Sequence, residues 1–106
     1  LIERLLGVNI MPNHANLINL MIKILQVILI VKGEKYGNKI IDRPEIYINT
    51  AVLNKIDRLK TQVENNIDFE TNDMFDVMGY LALKLTQKCI KNKDKFISDI
   101  KDAIKD

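Results

Sequence analysis

The chain has 106 residues, 47% apolar and 28% charged, and its sixteen Lys and Arg stand against fourteen Asp and Glu for a formal charge of +2. That length carries one hydrophobic core and not two, and the balance is that of a soluble folded domain rather than a disordered segment. A small positive charge with no long basic run argues against a nucleic-acid partner. A lone cysteine, Cys89, offers no internal disulfide, and a lone imidazole, His14, no zinc-type ligand set. A reducing, cytoplasmic location is the expectation.

The chain opens on Leu1 rather than Met, so further sequence is expected ahead of it. Residues 1–10 form a short amphipathic piece that Pro12 interrupts, and a short extra helix there is one option. Asn13 can cap a first long helix running from about residue 13 to Lys32 and stopping before Gly33. Its core stripe is Leu17, Leu20, Met21, Ile24, Val27, Ile28 and Val31. Ile18, Ile22, Leu25 and Leu29 fall on other faces. A helix apolar nearly all round is either central or buries a second face against another chain. In so small a domain the expectation is a homo-oligomer, a dimer or tetramer, formed through residues 13–32. The β-branched run Val27–Val31 is the one place where a strand competes. The apolar core of this segment, Leu17–Val31, is interrupted by Asn19, Lys23 and Gln26 and is shorter than the roughly 20 residues a bilayer needs, so no membrane is expected.

Residues 32–39 are polar with two glycines and read as a loop, continued by Ile40–Arg43. A second helix is expected from Pro44 or Tyr47 to Asn65. Its apolar set is Ile48, Val52, Leu53, Ile56, Leu59 and Val63, with Lys55, Asp57, Arg58 and Lys60 on the polar side. Residues 65–68 are a turn. A third helix, capped by Thr71, runs to about Ile90 with Met74, Val77, Met78, Leu81 and Leu85 as its apolar stripe. Asn92 marks a break before a last helix from Asp94 to Lys105, with Phe96, Ile97, Ile100 and Ile104 on one face. The expected fold is an all-α four-helix bundle occupying 1–106 as a single domain.

The chemistry-bearing residues gather at the start of the third helix. Glu70, Asp73 and Asp76 recur every third position, and Tyr80 stands four beyond Asp76, so the acids and the phenol share a polar stripe. Crowded carboxylates repel unless a cation sits among them, and a hard cation such as Mg²⁺ takes oxygen ligands of this kind. Lys55 and Arg58, three apart on the second helix, supply phosphate-binding cations that can face such acids. The plainer reading of the acids is a solvated helix start favoured by the dipole, and of the cations an exposed face. His14 reads as a local surface or capping residue.

Taken in order, Lys32-x-x-x-Tyr36-Gly37, Leu53-x-Lys55-Ile56-x-Arg58-Leu59, and Glu70-Thr71-Asn72-Asp73-Met74-Phe75-Asp76 followed by Gly79-Tyr80-Leu81-Ala82-Leu83 resemble the MazG-like superfamily. The likeness is to its nucleotide-modification-associated branch of phages and bacteria and spans about residues 20–85. It implies an all-α, oligomeric nucleoside triphosphate pyrophosphatase that yields a nucleoside monophosphate and pyrophosphate with Mg²⁺. By position it implies metal ligands at Glu70, Asp73 and Asp76, with Asp73, Asp76 and Tyr80 at the catalytic centre. Lys32, Tyr36, Lys55 and Arg58 would hold the triphosphate. The chain departs from the family in lacking a second acidic cluster on an earlier helix, where Glu34 is the nearest substitute. The alternative is a non-catalytic helical module for oligomerisation or interaction.

Overall fold

The computed structural model describes residues 14–36 and 43–105, the side chains of 33–36 excepted. The option of a helix over residues 1–10 and the block residue Gly37 lie outside them. Among the described residues the secondary structure is four helices with no strand, α1 (His14–Tyr36), α2 (Glu45–Glu64), α3 (Thr71–Lys91) and α4 (Lys93–Lys105). The fold is all-α. The chain divides into two compact units, Leu1–Asn38 and Lys39–Asp106.

In the first unit α1 does not stop before Gly33 but continues to Tyr36. Extending an established helix is cheap. Lys32, Glu34 and Lys35 are good helix formers, and one interior glycine costs only about 1 kcal/mol relative to alanine. The run Val27–Val31 is helical. Leu20 and Ile24 of the expected stripe are buried, whereas Val31 is exposed together with Ile18, Ile22 and Ile30. By length and composition, the 19 residues His14–Lys32, of mean hydropathy 1.8, would suffice to cross a bilayer, more than the sequence reading allowed. Lys23, near their midpoint, would cost about 2.5–3.5 kcal/mol there.

In the second unit Pro44 is the N-cap of α2, with an extended ψ of 144° that suits a residue leading into a helix. The far end of α2 is closed by a Schellman arrangement. Ile67 N–H donates to Gln62 O at 2.8 Å and Asn66 N–H to Val63 O at 3.0 Å. Asn66 takes the left-handed conformation this requires, at φ 60°, a region that asparagine tolerates better than most residues. The expected turn at 65–68 is therefore a helix stop with defined chemistry. Glu70, not Thr71, is the N-cap of α3. Asn92 ends α3 and starts α4, its side-chain Oδ1 accepting from Lys95 N–H at 3.1 Å.

Helices α2 and α3 form an antiparallel hairpin. Gln62 near the end of α2 meets Asp73 at the start of α3, Lys55 meets Asp76, and Glu45 at the start of α2 meets Lys84 and Lys91. Arg43 O, ahead of α2, accepts from Gln87 Nε2 at 2.9 Å. Ile48 is fully buried on α2. On α3 the expected apolar stripe is not the buried one, and of its members only Val77 is half-buried. Met74, Met78, Leu81 and Leu85 are exposed, while Asp73, Gly79 and Gln87 are the buried positions. The cause is pairing: the Asp73-to-Gln87 stripe finds donors and cations on α2, and its partners there fix the rotation of the helix. Phe96 of α4 is half-buried, and Ile97, Ile100 and Ile104 are exposed.

The double use of Asn92 gives a direct expectation. Asn92→Ala should lower stability by about 1 kcal/mol, the usual value of an N-cap, with Asn92→Asp close to wild type. Urea denaturation followed by far-ultraviolet circular dichroism measures both.

Candidate functional site

At the connected end of the hairpin lies Asp73, whose side chain is wholly inaccessible to solvent. It lies in the first turn of α3, where the helix dipole favours a negative charge. Its Oδ2 accepts a hydrogen bond from Gln62 Nε2 at 2.7 Å. Its Oδ1 lies 3.3 Å from Arg58 Nε and 3.5 Å from Lys55 Nζ, as ion pairs without a well-aligned hydrogen bond. Lys55 Nζ also lies 3.0 Å from Asp76 Oδ2, so one ammonium bridges two carboxylates a turn apart on α3.

Exposure grades across the cluster. Asp73 is at 0%, the Asp76 side chain at 17%, that of Lys55 at 24% and that of Arg58 at 59%. The inner groups are screened little by water and interact strongly, whereas Arg58 offers more than half of its surface to an incoming group. Two positive and two negative charges leave the four residues neutral as a set.

Each placement follows from helical spacing. Lys55, Arg58 and Gln62 are separated by three and four residues and share one stripe of α2, while Asp73 and Asp76 share the facing stripe of α3. Of the residues picked out in the sequence, Lys55, Arg58, Asp73 and Asp76 come together. Tyr80 is half-buried one turn beyond Asp76. Glu70 is exposed, and the cluster uses its backbone: Glu70 N–H donates to Gln62 Oε1 at 2.9 Å. Lys32 lies exposed on α1 in the other unit, and the side chains of Glu34 and Tyr36 lie outside the described residues. Among the described residues no three His, Cys, Asp or Glu side chains are grouped to hold a metal ion, so Glu70 does not join Asp73 and Asp76 as a three-acid set.

Gln62 was missed by sequence reasoning. Its signal was its position, four residues after Arg58 and seven after Lys55, which continues their stripe. Beside that stripe Ile56, Leu59, Lys60, Val63, Glu64 and Phe69 line an open groove of about 380 Å³.

No family model, curated protein or solved structure matches the chain.

The Lys55 ammonium is held above the ordinary lysine value, first by its hydrogen bond to Asp76 and then by the charges of Asp76 and Asp73, against desolvation and Arg58. Because the folded value is the higher one, the pairing stabilises the fold in full below the ordinary lysine value of about 10.4. It is lost only as the pH rises through the raised folded value. Lys55→Met should cost about 1–3 kcal/mol at neutral pH, less than a fully buried pair because Arg58 remains. In chemical denaturation at a series of pH values, the gap to wild type should stay level up to about pH 10 and close above it.

Proposed function

We propose that this chain is a nucleotide-binding helical domain of MazG-like type that converts a nucleoside triphosphate, ribo or deoxy, to the monophosphate and pyrophosphate with Mg²⁺. The observation that carries the reading is the meeting of Lys55 and Arg58 of α2 with Asp73 and Asp76 of α3 in one cluster. These are two of the three blocks on which the resemblance rests.

Two carboxylates are a number that suits the ion, but access to them is closed as the cluster stands: Asp73 is sealed, and Lys55 Nζ occupies the place between Asp73 and Asp76 that a metal would take. Magnesium commonly takes one or two carboxylates and completes its shell with water and phosphate oxygens. Asp73 and Asp76 already flank one position occupied by a cation, the Lys55 ammonium. They are the residues that would hold the metal, which supplies Lewis acidity and charge neutralisation at the phosphates. The chain's own part is electrostatic: Arg58, the most exposed of the four, takes phosphate oxygens in its planar fork, and Lys55 adds a second positive charge. Tyr80, half-buried one turn beyond Asp76, would orient a carboxylate or a water.

Incubation with a panel of nucleoside and deoxynucleoside triphosphates, with and without Mg²⁺, tests the reading through pyrophosphate release. Arg58→Ala and Asp76→Ala should each lower kcat/KM at least about tenfold, a loss of about 1.4 kcal/mol of transition-state stabilisation, while the helical signal stays. No turnover on any nucleotide, together with no binding heat in calorimetry, would reject it.

A second reading is a non-catalytic module that assembles with copies of itself, and it has its own observation. Asp73 is sealed and matched by charge as it stands, and Ile18, Ile22, Ile30 and Val31 of α1 are exposed. Of these, Ile18 and Ile22 lie one turn apart on the same face of α1, and an exposed apolar strip of this kind suits an interface. Both readings include the homo-oligomer through residues 13–32. Under either, Ile18→Glu combined with Ile22→Glu should shift the protein from dimer or tetramer to monomer in sedimentation velocity. An unchanged sedimentation coefficient would remove α1 as the interface.

A further inference from the structure

Gln62 ties the end of α2 to the turn and to the start of α3 through four hydrogen bonds, two to its backbone carbonyl and two through its side chain. Its backbone carbonyl accepts from Asn65 N–H at 3.1 Å and from Ile67 N–H at 2.8 Å, closing the end of α2. Its side-chain Oε1 accepts from Glu70 N–H at 2.9 Å, at the cap of α3. Its Nε2 donates to Asp73 Oδ2 at 2.7 Å. A carboxamide has one accepting end and one donating end. The backbone N–H of Glu70 can only donate, so it fixes Oε1 on its own side and turns Nε2 toward Asp73. The amide cannot flip without setting donor against donor at one end and acceptor against carboxylate at the other.

We propose that Gln62 is the positioning residue of the cluster: locked by the Glu70 backbone, its amide anchors one oxygen of Asp73 and so aims the other at Lys55 and Arg58. Calling the cluster a working site rests on the function proposed above; the positioning itself rests on these hydrogen bonds alone. The geometry explains how a carboxylate with no solvent contact keeps one orientation, although Oδ1 has no well-aligned hydrogen bond to hold it. Rotation about the carboxylate bond would abandon the 2.7 Å contact to Gln62. Gln62 thus fixes the plane of the carboxylate, and with it the direction in which the other oxygen faces the cations and any group they bind.

The test exchanges donor and acceptor. Gln62→Glu keeps the shape and the bond from Glu70 N–H but sets a carboxylate oxygen against Asp73 Oδ2. Two carboxylates so close share a proton, which raises the folded-state value of the pair. Stability is then retained at low pH and lost as the pH rises from about 4.3, the ordinary glutamate value. The charged groups around the new carboxylate are Asp73, Asp76 and Glu70 on the α3 side and Lys55 and Arg58 on α2. The cations soften the repulsion without supplying the missing hydrogen.

In thermal melts of the full chain, Gln62→Glu should lie about 5–10 °C below wild type at pH 7, with the gap closing toward pH 4. The double variant Gln62→Glu with Asp73→Asn places an amide donor opposite the new acceptor and keeps the net charge. It should recover most of the loss at pH 7 and flatten the pH dependence, which general destabilisation would not do. A Gln62→Glu gap that is level across pH, or a double variant no more stable than Gln62→Glu at pH 7, overturns the proposal. If Gln62→Glu is unfolded at every pH, the double variant decides alone: folded supports the proposal, unfolded overturns it. A wild-type protein that binds no nucleotide rejects the function above and leaves these melts as they are.

Discussion

A carboxylate with no access to water is the constraint on which the hairpin depends. Moving such a charge into the interior costs several kcal/mol even after relaxation. Asp73 is tolerated because Arg58, Lys55 and Gln62 surround it. That requirement reaches outward. Helix α2 must present three particular side chains on one stripe, and α3 must begin early enough to place Asp73 in its first turn. The connection between them must bring the Glu70 N–H within reach of the Gln62 amide. The Schellman closure and the left-handed Asn66 make that last step possible.

Much of this was legible in the sequence, and the reasons differ by element. The helices of the second unit announce themselves through Pro44, the Asn65-Asn66 stop and Asn92, because these residues have strong local preferences for helix ends. The convergence of Lys55, Arg58, Asp73 and Asp76 was legible as well, since spacings of three place each pair on a single face. The orientation of α3 was not. Binary patterning assigns Met74, Met78, Leu81 and Leu85 to the core, yet they are exposed. Ion pairs and amide bonds across the hairpin outrank hydrophobic periodicity there, and such pairs are set by residues far away in sequence. The continuation of α1 through Gly33 was missed for a simpler reason, that a glycine weakens a helix without always ending it. Gln62 was overlooked because an uncharged amide on a helix face carries no signal until its partners are placed.

The same residues hold the hairpin together and face any ligand that comes to it. Under the function proposed above, a phosphate group approaching Arg58 and Lys55 would compete with Asp73 and Asp76 for their positive charge, so binding would be an exchange of partners. Such an arrangement keeps buried charge matched in the absence of ligand, and the internal pairs would lower the affinity for any phosphate that the proposed function requires. The gradient of exposure from Asp73 to Arg58 sets the order in which partners can be exchanged, with the outermost guanidinium first.

The antiparallel pairing also has a consequence for alignment. Helix faces rich in Ile, Leu and Met tolerate sliding, because one apolar contact resembles the next. The ionic cluster does not. Displacing α3 along α2 by one turn would carry the Asp73 carboxylate away from Lys55, Arg58 and Gln62 and leave its charge sealed without a counterpart. It would also part Glu45 from Lys84 and Lys91 at the opposite end. The cluster therefore works as a register pin, making one alignment of two otherwise slippery helices far better than its neighbours.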